Sequence, residues 1–61
     1  MPKYVVSLTD RYGKVIKVGY TEQAIDSDTI ENSRKFLDLK RQALKQQCGI
    51  RIHKLEDWEI N

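Results

Sequence analysis

The sequence predicts an α+β domain of order β-β-α-β: two layers, a three-stranded antiparallel sheet of spatial order 2-1-3 and one helix packed on one face. Three observations predict it. Two segments of alternating β-branched and aromatic residues flank Asp10-Arg11-Tyr12-Gly13, a long amphipathic stretch follows Ser27, and a third alternating segment covers residues 50–55. Sixty-one residues make one domain, 1–61, with no room for a second.

In the first segment, residues 3–9, Tyr4, Val6 and Leu8 alternate with Val5, Ser7 and Thr9. In the second, residues 14–20, Ile16, Val18 and Tyr20 alternate with Val15, Lys17 and Gly19. Asp10 suits the first position of a type I turn, and Gly13 supplies the left-handed residue that closes a tight hairpin. Residues 21–27 read as a loop. Asp28 then caps a helix with Glu31 as its capping-box partner, and the helix is expected over 29–47 with Gly49 as its left-handed C-cap. Acids gather at its start and bases in its later half, as the helix dipole favours. A right-handed crossover sets the third strand parallel to the second, on the far side of the first. Trp58 and Ile60 are expected to resume the face of the third strand or to cover a core edge.

Alternation assigns Tyr4, Val6, Leu8, Ile16, Val18, Tyr20, Ile50 and Ile52 to the core face. The other face collects Val5, Ser7, Thr9, Val15, Lys17, Arg51, His53 and Leu55, more apolar than a solvated sheet needs. On the helix, Ile30, Leu37, Leu44 and Cys48 form one stripe. Phe36 and Ala43 form another about 100° away, with Leu39 beyond. Lys40 and Gln47 interrupt this wide arc, so one stripe is expected to line the core while its far edge meets another molecule.

The net charge is +2, but residues 33–54 hold seven Lys/Arg and one Asp, whereas 22–32 and 55–61 hold only acids. Arg41 and Lys45 each lie about 20° from Arg34 around a helix, which makes a basic ridge. Nucleophilic or acid–base chemistry needs neighbours that His53 lacks, and Cys48 at a helix C-terminus sits at the wrong dipole end for activation. Cys48 is expected to be a buried small hydrophobe. Glu56, Asp57 and Glu59 lack the glycine-containing loop of a cation site, and the isolated glycines form no phosphate cradle. One cysteine makes no internal disulfide, and no 18-residue apolar run or leader-like stretch appears, so a cytoplasmic chain without cofactor or membrane partner is expected.

The hairpin Tyr4-Val5-Val6 … Lys17-Val18-Gly19-Tyr20-Thr21, followed by a helix, resembles the opening hairpin of GIY-YIG nuclease domains over the first third of the chain. Those domains use a tyrosine on each strand, an arginine early in the helix and a glutamate on a later helix. Here Val6 and Lys17 stand at the tyrosine positions and Arg34 comes late, so the resemblance implies a catalytically empty relative. Size and element order are also similar to those of small phage-encoded proteins that inhibit a host enzyme or toxin.

The expectation is a non-enzymatic interaction module that docks on a protein and regulates or inhibits it. Arg34, Arg41 and Lys45 supply charge, and Phe36 and Leu39 the apolar anchors. Val15, Lys17, Arg51 and His53 form a second candidate patch. The alternatives are nucleic-acid binding through the basic ridge and a structural homo-oligomer such as a homodimer.

Overall fold

The computed structural model describes residues 1–60, the side chain of Ile60 excepted. The elements are β1 (Lys3–Thr9), β2 (Val15–Gln23), α1 (Ser27–Glu31), α2 (Arg34–Lys45), β3 (Gly49–Lys54) and α3 (Asp57–Ile60). β1 is central and antiparallel to both neighbours, which gives the order β2-β1-β3. This is the α+β sheet the alternation predicts.

Asp10 makes the hairpin turn. Its Oδ1 accepts from the backbone N–H of Tyr12 at 2.8 Å and of Lys14 at 2.9 Å, and Gly13 takes the left-handed conformation at φ +84°. β2 runs three residues beyond the expected strand end. The N–H of Ala24 still donates to the carbonyl of Pro2, so the first part of the expected loop, residues 21–23, is sheet.

The single expected helix is two. Asp26, not Asp28, caps α1 by accepting from the Thr29 N–H, and the turn ends at Asn32. Ser33 then starts α2: its hydroxyl accepts from the Phe36 N–H at 3.2 Å and donates to the Ile30 carbonyl at 2.7 Å. A serine three residues before an apolar position is an N-cap signal. Here it resets the helix phase.

At its far end α2 closes before Gly49. The N–H of Cys48 reaches the Ala43 carbonyl at 2.8 Å and that of Gln47 reaches the Leu44 carbonyl at 3.3 Å, a Schellman pair. Its left-handed residue is Gln47 at φ +56°. Gly49 instead opens β3 opposite Thr9, where a Cβ would stand 2.5 Å from the threonine hydroxyl oxygen.

The core lies between the sheet and the helices. Tyr4, Val6, Ala24, Ile30 and Phe36 form its buried cluster, with Tyr20, Leu39, Ile50 and Ile52 packed against it. Leu8, Ile30 and Val6 are fully enclosed. Ile16 and Val18 depart from their expected place: both are 56% exposed. Two register shifts explain this, one between Val6 and Ser7 and one between Leu8 and Thr9. Val6 pairs with Tyr20 and Ser7 with Val18, leaving Gly19 as an extra residue; Leu8 pairs with Lys17 and Thr9 with Val15, leaving Ile16. Because paired residues share a face, each bulge inverts the alternation beyond it. Val18 therefore joins Val15 on the face away from the helices, and Lys17 moves to the helix side.

Candidate docking surfaces

α2 turns one stripe inward, and it is the stripe expected to face outward. Phe36 and Ala43 are buried and Leu39 is half-buried against the core. They serve as packing residues, which corrects their assignment as docking anchors. The cause is the break at Asn32-Ser33, which uncouples Ile30 from the phase of Leu37 and Leu44. Ile30, on α1, is enclosed in the core cluster, while Leu37 is 49% and Leu44 72% exposed. Cys48 is half-buried, its Sγ 3.5 Å from the Gln46 carbonyl.

Leu37 and Leu44 lie about 100° round the helix from Phe36 and Ala43, between the core side and the basic ridge. Arg34, Arg41 and Lys45 are all exposed on that ridge. Asn32, Arg34, Leu37, Asp38 and Arg41 line a shallow hollow there, with Leu37 as its apolar member and both signs of charge among the others. Among the described residues the one ion pair of the chain lies elsewhere, so the ridge cations are free of internal carboxylate partners. The outer side of α2 thus offers two bare leucines beside three uncommitted cations.

The second surface is the bare sheet face. Val5, Ser7, Val15, Val18, Arg51 and His53 line a depression of about 220 Å³. Three members of the second candidate patch, Val15, Arg51 and His53, meet there. Lys17 does not, because the bulge at Ile16 puts it opposite Leu8. Val18 is the member that strict alternation misses; Gly19, a glycine inside a strand, is the sequence signal for such a bulge.

α3 is tied to this face. His53 Nε2 stands 3.2 Å and 3.4 Å from the two carboxylate oxygens of Glu59, and Glu59 Oε1 accepts from the Glu56 N–H at 2.9 Å. The Glu56 N–H and then His53 hold the Glu59 carboxyl below its ordinary range. The acidic tail therefore spends Glu59 on its own tether. Trp58 does not return to the sheet; it is 77% exposed. The backbone and hydroxyl of Thr29 likewise lower Asp26.

Among the described residues no group of three or more His, Cys, Asp and Glu side chains gathers to hold a metal ion. None of the described helices is long and apolar enough to cross a membrane. At the positions where the GIY-YIG resemblance sets tyrosines, Val6 is fully buried and Lys17 lies on the exposed second strand. No family model, curated protein or solved structure matches the chain.

Proposed function

We propose that this chain is a non-enzymatic docking module that occupies, and so regulates or blocks, a protein surface through the outer side of α2. The observation that supports the reading is the exposure of Leu37 and Leu44 beside Arg34, Arg41 and Lys45. Apolar anchors next to uncommitted cations fit a partner with an apolar pocket rimmed by carboxylates. Arg34 and Arg41 border the hollow and set orientation, Leu37 and Leu44 fill the pocket, and Lys45 extends the charged strip by one turn. The lone, unpaired Cys48 suits a reducing compartment such as the cytoplasm.

Affinity capture from the native host, identified by mass spectrometry, tests the reading when run with Arg41→Glu and Leu44→Lys in parallel. A protein retained by the parent chain and lost with both variants, at unchanged melting temperature, is expected. Equal retention by both variants, or no retained protein, removes this surface, and retention by Leu44→Lys alone removes the apolar anchors. The basic ridge alone favours a second reading, a phosphate backbone. For duplex DNA that reading requires affinity to fall with salt by a log–log slope of about −0.9 per phosphate neutralised. It also requires Leu44→Lys to bind at least as tightly as the parent, the opposite of the leading expectation.

A further inference from the structure

The longest strand of the sheet has an unpaired edge. β2 spans nine residues against seven in β1 and six in β3, and the order β2-β1-β3 gives it one neighbour only. Residues 15–19 are all exposed. An open edge of this length presents unpaired N–H and C=O groups to any extended chain that can match it.

Its face pattern restricts what can match. Lys17 lies opposite Leu8, Tyr20 opposite Val6 and Glu22 opposite Tyr4, so all three face the helices. Val18 and Thr21 lie opposite Ser7 and Val5 on the bare side. The Cβ direction of Gly19 points at Leu39 of α2, again the helix side. From 17 to 22 the sides run helix, bare, helix, helix, bare, helix. That order reads identically in both directions about the Gly19–Tyr20 link. In a regular strand, a two-fold axis at a peptide link would oppose residues of unlike faces. The bulge at Gly19 removes that conflict.

Charge selects the same register. Antiparallel pairing of two β2 strands about this axis sets Lys17 opposite Glu22 of the second copy, and the symmetry makes that pair twice. Val18 then meets Thr21, and Tyr20 stands opposite Gly19, which brings no second side chain to that position. Lysine on an open edge discourages pairing with an arbitrary strand, and Glu22 answers it in this register.

We propose that the chain associates with a second copy of itself through the β2 edges, forming a two-fold dimer with one continuous six-stranded sheet. The bare-face valines Val15 and Val18 of each copy then lie along the same side of the joined sheet. This interface is separate from the outer side of α2, so either can fail alone.

Sedimentation velocity of the full chain from about 10 μM to about 1 mM tests the dimer in the range where weak edge pairing registers. The mass is expected to rise from 7.2 kDa toward twice that value. Lys17→Glu and Glu22→Lys each set like charges opposite one another twice, and each is expected to weaken dimerisation about tenfold. The charge-swapped double variant restores the pairs and is expected to return near parental affinity. Circular dichroism and thermal melts of each variant check that the monomer is intact. A monomer at the highest concentration, single variants that dimerise as the parent does, or a double variant without rescue each overturns the proposal.

Discussion

Adding one methyl group at Gly19 probes a close contact between α2 and the sheet. Gly19 does not have a positive φ, so its backbone conformation suits alanine. At such a site Gly→Ala ordinarily stabilises by about 0.4–1 kcal/mol, because the unfolded chain loses freedom. Here the new Cβ would stand 2.6 Å from Leu39 Cδ2 and 3.0 Å from the Val6 carbonyl oxygen. The leucine methyl can rotate away only by giving up its place against the core, and the carbonyl belongs to the central strand. Overpacking of this kind costs about 1–3 kcal/mol. The net expectation for Gly19→Ala is a loss of about 1–2 kcal/mol after the entropic gain. A chain of this size has a total stability of about 3–9 kcal/mol, so that loss is a large fraction. Urea denaturation reads it as a lower midpoint at unchanged slope. Leu39→Ala supplies the control: alone it costs about 1–2 kcal/mol for a half-buried leucine, near or below the low end for core truncations. It also vacates the space the new methyl needs. The double variant should therefore lose at least about 1 kcal/mol less than the two single losses combined. Stabilisation by Gly19→Ala, or strict additivity, would refute the close packing of α2 on the β2 bulge.

Two further expectations concern the chain's other local signals. Gln47 holds a left-handed conformation that suits glycine, so Gln47→Gly should raise stability by about 0.5–1 kcal/mol, a gain of a few degrees in Tm; a lower Tm would contradict the Schellman ending. Glu59 has a folded pKa below its unfolded one, so its tether is complete above the ordinary glutamate range and lost as pH falls through the folded value. The Glu56 amide resonance in an NMR titration should move with a midpoint below the ordinary glutamate value and should lose that step in Glu59→Gln; a midpoint at the ordinary value would exclude the hydrogen bond.

What the sequence revealed and what it hid divide by range of interaction. The hairpin follows from Asp10 and Gly13, whose preferences act over four residues, and β1 has the expected bounds, 3–9, though Ser7 and Thr9 on its far face are buried too. The sheet order follows from handedness and needs no knowledge of side-chain contacts. Periodicity, by contrast, assumes an unbroken phase. Ser33 interrupts it on the helix and Gly19 and Ile16 interrupt it on β2, and each break rotates every later residue's face. That is why Phe36 and Leu39 turn inward while Leu37, Leu44 and Val18 turn outward. Arg34, Arg41 and Lys45 survive the change because all three lie on one side of the break, within α2. The serine cap was visible in the residues themselves. That it opens a second helix after a first one capped by Asp26 was not, because both caps and both helices fit the same polar-apolar pattern.

The same division explains why Leu44 is the sharper test of the docking reading than any arginine. Leucine and lysine have nearly equal helix propensity, so Leu44→Lys leaves the intrinsic stability of α2 almost unchanged. At 72% exposure the leucine buries little against its own chain, so its removal takes little from the core. The folded monomer thus has no use for an apolar group there that lysine would not meet, whereas a partner with an apolar pocket would lose an anchor and have to bury an ammonium group. An arginine reversal is less selective, because it changes the field felt by every charged ligand at once. Binding lost with Leu44→Lys at constant Tm therefore identifies an apolar pocket on the partner, and binding kept with Leu44→Lys but lost with Arg41→Glu identifies a purely electrostatic contact.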